Sequence, residues 1–444
     1  MFNATMRKLL TILFLGAVLA VALQLIHAIV VERQSRQLEV EAGIAAGIGG
    51  RQTIVGPLLI VHWREPVPNV VTMPGAAPFV AAEPRLRIIP LLPDTLEANG
   101  EIAIQPRYRG IYRAQTYRLD GVWRGRFNVP ARYGIGANRP GQIERVSIAF
   151  GVSDPRGLRG RPEFRVDGRV VPLLAGTSIP ALADGFRVEL EPAALLAGGE
   201  LGFSLEFSLE GTAGLSVVPS GDDTRMALRS NWPHPAFEGA FLPGEKTIAA
   251  DGFSARWQTT LLATNLGSRL SACVGDGAKA CDLPGVAVRF VEPVNVYQRS
   301  ERAVKYGLLF IALTFAALFL FETLKQWRLH PLQYGFVGAA LSLFFLLVIS
   351  LSEHIAFGIA YGAATLACVT LITGYLRYVL GGWRLALVFG ALFFALYGVL
   401  YGLLLSEDNA LVLGALLLFT LLAVAMWLTR RVDWYTAPSS QQQA

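Results

Sequence analysis

Six long apolar runs constrain this chain more than any other feature of its sequence. A helix crosses the hydrocarbon core of a bilayer with about 20 apolar residues, and each run has roughly that length. The runs are Leu9–Val31, Val304–Phe321, Tyr334–Leu351, Ile355–Leu376, Trp383–Leu405 and Ala410–Leu428. Hydrophobic residues make up 53% of the chain, above the share typical of soluble proteins. We therefore predict an integral membrane α-helical protein with about six transmembrane helices.

The first apolar run has two interpretations. Ala20-Val-Ala22 resembles the cleavage site of a signal peptide. The run continues past that site to Val31, which favours an uncleaved membrane anchor. We therefore expect residues 1–31 to form a cytoplasmic tip and the first transmembrane helix.

Basic residues in the short connections predict the orientation, because Lys and Arg concentrate in cytoplasmic loops. These residues are Arg7, Lys8, Lys325, Arg328, Arg377, Arg384, Arg430 and Arg431. They place both termini in the cytoplasm and residues 32–303 on the opposite side of the membrane. Arg299, Arg302 and Lys305 lie next to the second run on the non-cytoplasmic side, and they depart from the rule that Lys and Arg concentrate in cytoplasmic loops. Residues 304–435 would form a five-helix membrane domain, and residues 436–444 a flexible cytoplasmic tail.

The segment 32–303 shows the period-two alternation of β-strands. In Leu201–Glu210 every second residue is Leu or Phe, and shorter alternations occur at Arg145–Phe150, Phe186–Leu190 and Val286–Phe290. Asn99-Gly100 and Asp167-Gly168 have the composition of hairpin turns. We therefore predict a large, mainly antiparallel, sandwich-like β domain between the first two transmembrane helices, formed by one β unit or two.

The three cysteines differ in setting. Cys273 and Cys281 enclose a polar loop in the predicted exported domain, and an oxidising compartment there would favour a disulfide. A metal site there is less favoured, because no His lies nearby. Cys368 lies within the fourth apolar run, and we interpret it as a small apolar residue.

The sequence contains no strong catalytic signature. Phosphate-binding Gly loops, nucleophile elbows and metal-protease motifs are absent from it, and we expect neither a metal nor another cofactor. Asn231-Trp-Pro-His-Pro235 is a Pro-restricted turn in which His234 is either a periplasmic functional residue or a structural one. The chain is therefore predicted not to be an enzyme.

Aromatic and Arg residues alternate in the segment Tyr108–Arg118. In a cytosolic protein this pattern would suggest nucleic acid, which is excluded as a partner outside the membrane. The same chemistry suits lipid headgroups, another anionic envelope partner or a periplasmic protein. The alternative is that these residues form the exposed faces of ordinary strands. The sequence does not indicate an oligomeric state.

Glu353 and His354 lie between two apolar runs, in the stretch Ser350–Ile355. One interpretation is a capping box at a helix start, in which Ser350 and Glu353 bind free backbone N–H groups. The other is an ion or proton site completed by Glu407 and Asp408 of the equivalent turn, since ionisable groups near membrane spans are often functional. Both turns contain Leu-Ser-Glu, and we interpret the two helical hairpins as an internal repeat.

Polar residues within the fourth and fifth runs support an alternative, a transporter or channel for an envelope metabolite. It predicts a water-filled cavity lined by Tyr361, Thr365 and Tyr397. A membrane enzyme acting on lipid or cell-wall precursors is a weaker alternative. Glu322, at the end of the second run, is expected to pair with Lys325 or another nearby base.

Several stretches together resemble the CreD family of bacterial inner-membrane proteins. They are Gly56-Pro-Leu-Leu, Tyr108-Arg-Gly-Ile-Tyr112, Asn231-Trp-Pro-His-Pro235, Glu292-Pro-Val-Asn-Val-Tyr297, Lys305–Phe315, His330-Pro-Leu-Gln-Tyr334, Ser350–Phe357 and Arg430–Tyr435. The resemblance covers nearly the full chain. It implies a location in the bacterial inner membrane, with residues 32–303 in the periplasm. It also implies a role in cell-envelope integrity and in the response to envelope stress, and it supplies no catalytic residue.

Overall fold

The computed structural model describes residues 2–71, 79–274, 281–292, 296–325, 329–406 and 410–430. The chain divides into two compact units. Residues 38–293 form one unit, here called the β domain. Residues 1–37 and 294–444 form the other, here called the helical unit.

Eight helices are present in the described part of the chain. They are α1 (Phe2–Ile48), α2 (Leu261–Thr264), α3 (Leu266–Val274), α4 (Val296–Lys325), α5 (Pro331–Ser352), α6 (Phe357–Val379), α7 (Trp383–Leu405) and α8 (Ala410–Thr429). Helices α1, α4, α5, α6 and α7 are long and apolar enough to cross a membrane. Helix α8 corresponds to the sixth apolar run and has 20 residues. The prediction of a helical membrane protein is confirmed.

The β domain contains sixteen strands in its described residues. They are β1 (Gln52–Val71), β2 (Phe79–Leu91), β3 (Thr95–Arg109), β4 (Tyr112–Val129), β5 (Gln142–Val152), β6 (Leu158–Val166), β7 (Arg169–Val170), β8 (Leu174–Ala175), β9 (Gly185–Leu190), β10 (Gly199–Thr212), β11 (Gly214–Val218), β12 (Asp223–Ser230), β13 (Pro235–Gly239), β14 (Glu245–Ala249), β15 (Gly252–Thr260) and β16 (Val286–Phe290).

These strands form two eight-stranded sheets. The first sheet has the order β13-β16-β11-β1-β5-β9-β8, and β2 also pairs with β1. The second sheet has the order β14-β15-β12-β3-β4-β10-β6-β7. Most pairs are antiparallel, while β1 with β11 and β12 with β3 are parallel. The inner faces share one apolar core, in which Trp123 of the second sheet contacts Phe150 of the first. The domain is therefore a single sandwich.

The predicted alternations correspond to observed strands. Leu201, Phe203, Leu205, Phe207 and Leu209 of β10 are all buried, and the other three alternating segments lie in β5, β9 and β16. The turn predicted at Asn99-Gly100 is wrong, because both residues lie within β3. A Cβ on Gly100 would lie 2.7 Å from Leu119 and 2.9 Å from Leu228. Gly100 therefore allows the side chains of Leu119 and Leu228 to pack closely against the β3 backbone. The turn predicted at Asp167-Gly168 is present and connects β6 to β7.

A small second core covers the outer face of the first sheet. Leu266 and Leu270 of α3 pack there with Leu58, Ile60 and neighbouring apolar residues. A disulfide joins Cys273, in the last turn of α3, to Cys281. The bond closes the chain segment that follows this helix.

His62 of β1 is also buried on this face, with 5% of its surface exposed. Burial lowers the pKa of His62, and the positive charges of Arg145 and Arg187 act in the same direction. The backbone of Ser178 and the negative charge of Glu144 act in the opposite direction. The imidazole is therefore held preferentially in its neutral form.

Candidate functional site

The Glu353–His354 stretch forms the end of a helix, so the predicted capping box is wrong. Ser350 and Ser352 lie in the last turn of α5, and Glu353 is its C-terminal cap. The Ser352 hydroxyl donates to the Ile349 carbonyl at 2.9 Å. Helix α6 begins only at Phe357, with Ala356 as its N-cap. The Ser-x-x-Glu residues belong to the end of α5 and not to the start of α6, because the apolar run of α5 continues through Leu351.

Glu353 connects three helices of the helical unit. Its carboxylate accepts a hydrogen bond from the Tyr297 hydroxyl of α4 at 3.3 Å. Arg33 of α1 lies 3.7 Å from the same carboxylate oxygen. Only 10% of the Glu353 side chain is exposed, so this carboxylate is held by the protein on two sides.

Of the other members of the proposed ion site, the structure describes only His354. His354 follows the helix end and is exposed. Glu407 and Asp408 lie outside the described residues, next to Ser406, the C-cap of α7. The internal repeat between the two hairpins therefore stays a prediction.

A second polar cluster surrounds Glu322 near the end of α4. The Glu322 carboxylate pairs with Lys8 of α1 and accepts from the Tyr334 hydroxyl of α5 at 2.9 Å. It also accepts from the Leu329 backbone N–H at 3.3 Å, while Lys8 donates to the Leu329 carbonyl at 2.7 Å. The partner that the structure gives Glu322 is therefore on the first helix, more than 300 residues away in sequence.

The capping box of α5 lies beside this cluster, at His330-Pro-Leu-Gln-Tyr334. Nδ1 of His330 accepts from the Leu332 backbone N–H, and the Gln333 side chain accepts from the His330 backbone N–H. Pro331 occupies the first helical position, where a missing N–H costs nothing. The cap starts α5 in the position that brings Tyr334 to Glu322.

The polar residues of α6 and α7 are packed among aromatic rings. The Tyr361 hydroxyl donates to the Tyr397 carbonyl at 2.7 Å, and Phe344 contacts both rings. The Cys368 thiol lies 3.3 Å from the Tyr397 hydroxyl and donates to the Ala340 carbonyl. Cys368 is therefore hydrogen-bonded as well as buried. The hydroxyls of Tyr361 and Tyr397 face protein groups, whereas the buried Thr365 hydroxyl has no hydrogen-bond partner among the described residues. Two of the three side chains predicted to line a transporter cavity are therefore packed against protein, which disfavours that cavity.

His234 has an exposed ring in a turn that other groups of the same motif hold in place. The Trp232 indole N–H donates to the carbonyls of His234 and Val291. The Asn231 side chain accepts from the Ile104 backbone N–H at 2.8 Å. The described residues contain no group of three or more His, Cys, Asp or Glu that could hold a metal. The contacts of this motif are structural.

The aromatic and Arg segment Tyr108–Arg118 comprises the last two residues of β3, the turn that follows and the first part of β4. Tyr108 and Ile111 are exposed near the tip, whereas Tyr117 is buried in the sandwich core. Arg113, near the start of β4, pairs with Glu292. The segment therefore combines exposed strand faces with one buried aromatic anchor.

The outer face of the second sheet is exposed and charged. We call the following ten side chains the charged sheet face: Glu97, Glu101, Arg118, Asp120, Arg124, Arg126, Glu206, Arg225, Arg229 and Arg256. In register, Glu97 lies between Arg225 and Arg124 on the two neighbouring strands. The face thus contains six Arg among four carboxylates, with the two signs interleaved.

A groove of about 540 Å³ crosses one side of the charged sheet face. It lies over β3, β12, β14 and β15. Its polar lining comes from Glu97, Asn99, Arg225, Glu245, Arg256 and Gln258. Charges of both signs therefore meet in one open concavity.

Sequence reasoning missed Lys8, Arg33, Tyr297 and Tyr334 as site residues. The signal that was available is the pair of carboxylates, Glu322 and Glu353, at the ends of apolar runs. Such carboxylates require a partner, but the sequence does not show which cation provides it.

Apolar helices, ion pairs at their ends and an inserted β sandwich together define an integral membrane protein with one large polar domain. Comparison with known proteins is more specific. The family model described as "Inner membrane protein CreD" matches residues 4–435. Inner membrane protein CreD of Escherichia coli (strain K12) is 36% identical over 422 residues, covering 95% of this chain and 92% of the relative. The chain belongs to the CreD family of inner membrane proteins.

Proposed function

We propose that this protein is a non-enzymatic membrane scaffold that supports cell-envelope integrity and the response to envelope stress. In this proposal both termini are cytoplasmic, and the β domain lies in the periplasm and acts by binding. The charged sheet face and its groove are the observation that carries the proposal. The family assignment supports the membrane and the envelope context.

The partner that fits this face best is a periplasmic protein. A uniformly anionic polymer would be attracted by the Arg residues but repelled by the carboxylates of Glu97 and Glu101. A protein surface can place a carboxylate opposite each Arg and a base opposite each carboxylate. The interleaved signs therefore favour a protein over an anionic polymer.

A charge-reversal experiment tests the face. Cells lacking the protein would carry Arg124→Glu together with Arg225→Glu, the two bases that flank Glu97. We expect normal membrane levels and lost resistance to envelope stress. The matched control reverses Arg161 and Arg169, two exposed bases near the other edge of the same sheet. Equal loss of resistance in both double variants would contradict a specific binding face.

Cysteine labelling tests the topology independently. Ser254 is exposed on β15, and Ser254→Cys should react with a membrane-impermeant maleimide once the outer membrane is permeabilised. Gly382 lies between α6 and α7 in open space, and Gly382→Cys should react only after the inner membrane is broken. The reverse pattern would place the β domain in the cytoplasm.

A further inference from the structure

The first turns of α4 carry an excess of positive charge beside α1. Arg299, Arg302 and Lys305 lie on α4, and Arg33 lies on α1. Glu32, next to Arg33, pairs with Arg36, and the other carboxylates nearby are Glu353 and Glu301. Arg299, Arg302 and Lys305 are also the residues that depart from the positive-inside pattern of the sequence. Basic residues at the end of apolar helices attract anionic lipid headgroups.

Glu353 and Glu301 also have partners within the helical unit. Glu353 is held by Tyr297 and Arg33. Glu301 pairs with Lys305 at 2.8 Å, one helical turn away on α4. Arg299 instead stacks on the Phe357 ring at 5.6 Å. Stacking on a ring face does not use the N–H groups of the guanidinium, so they can donate hydrogen bonds to a ligand.

Three buried polar atoms at this end have no hydrogen-bond partner among the described residues. They are Nε of Arg299, Oγ of Ser300 and Nδ1 of His27. Ser300 is 1% exposed, and His27 of α1 lies within electrostatic range of Glu301. Buried polar atoms without a hydrogen-bond partner are rare and costly in native proteins. Their concentration at one end of two neighbouring helices points to a ligand that supplies oxygen acceptors.

We propose that this end of the helical unit binds the phosphate of an anionic phospholipid headgroup. Headgroups lie at the level where apolar runs end. The phosphate would accept hydrogen bonds from Arg299 and Ser300, and Arg offers phosphate a planar fork of donors. The Phe357 ring beneath Arg299 would then border the apolar part of the lipid. The proposal concerns the helical unit and does not depend on the binding role of the β domain.

Native mass spectrometry of the full-length protein in neutral detergent tests the proposal. Phosphatidylglycerol, phosphatidylcholine and inorganic phosphate would be titrated separately. We expect preferential binding of phosphatidylglycerol, and we expect Arg299→Gln to weaken it about tenfold, as for the loss of one charge-assisted contact. Ser300→Ala should weaken it less, because the positive charge is kept.

The control is Arg384→Gln, which removes the same charge at the start of α7, and it should bind as the wild type does. Preference for inorganic phosphate over the lipid would overturn the lipid assignment. Equal binding of phosphatidylglycerol and phosphatidylcholine by the wild-type protein would by itself contradict the proposed site. Unchanged phosphatidylglycerol binding in a folded Arg299→Gln protein would also overturn it.

Discussion

Lys8 and Arg33 lie on the same helix, α1, and each is paired with a carboxylate of a C-terminal helix, Glu322 and Glu353 respectively. At about 1.5 Å per residue the two bases are about 37 Å apart along α1, which exceeds the roughly 30 Å hydrocarbon core of a bilayer. The first helix is therefore attached to the helical unit near both membrane boundaries.

Removal of Lys8 should destabilise the helical unit. Lys8→Met leaves the buried Glu322 carboxylate without its cation, and we expect a loss of about 2 kcal/mol. The measurement is unfolding of the purified protein in mixed micelles. The double variant Lys8→Met with Glu322→Gln should recover part of this loss, because no unpaired charge remains. A single variant as stable as the wild type would show that the pair contributes little.

Glu353 and His354 should differ sharply when each is replaced by Ala. Glu353→Ala removes the acceptor shared by Tyr297 and Arg33, so we expect lower membrane levels and weaker resistance to envelope stress. His354→Ala removes an exposed side chain and should behave as the wild type. Blotting and complementation in the same strain measure both effects. Loss of resistance in His354→Ala at normal protein levels would restore the ion-site hypothesis.

The buried His62 should make local stability of the β domain depend on pH. Its pKa is lowered in the folded state, so below the ordinary value of about 6.5 the unfolded chain binds more protons. Stability should therefore fall as pH decreases from about 6.5 toward the lower pKa of the folded state. Hydrogen exchange of β1, corrected for intrinsic rates, measures this slope. The slope should shrink in His62→Gln, and an unchanged slope would assign it to other groups.

The Cys273–Cys281 disulfide should stabilise the packing of α3 on the first sheet. In the chain-entropy account, a loop of this length contributes roughly 2–3 kcal/mol. We expect Cys273→Ser to increase hydrogen exchange in α3 and to leave the far sheet unaffected. Cys368→Ser is the control for loss of a thiol in the helical unit. Unchanged exchange in α3 would show that Leu266 and Leu270 hold the helix without the bond.

Tyr361 distinguishes a packed helical unit from a transport path. Tyr361→Phe removes one buried hydrogen bond, and we expect a loss of about 1 kcal/mol in stability with full resistance to envelope stress. Phe keeps the ring contact with Phe344. Complementation by a normally accumulating variant measures the functional effect. Lost resistance at normal protein levels would support a functional hydroxyl and hence the transporter alternative.

The fold was largely predictable because its strongest signals are local in sequence. Apolar runs define membrane helices, and the alternation of Leu201–Glu210 defines β10 and its buried face. Local signals failed where packing overrides them. Asn99-Gly100 has the composition of a turn, but Leu96, Ala98 and Ile102 continue an alternating strand through it, and Gly100 is required by Leu119 and Leu228.

The candidate sites were less predictable because their members are distant in sequence. Glu353 was identified from its position at the end of a membrane run, but its partners Arg33 and Tyr297 come from two other helices. The charged sheet face depends on the register of five strands, which spacing alone does not determine. Individual chemistry-bearing residues can thus be named from sequence, whereas their pairings require the fold.

The pairing of Lys8 with Glu322 also limits the order in which the protein is completed during synthesis. Lys8 leaves the ribosome before Glu322, which follows 314 residues later. The whole β domain is synthesised in the interval. The ion pair between α1 and α4 can therefore form only after the β domain has been translated. In a nascent chain that stalls before α4, Lys8 lacks the carboxylate of Glu322.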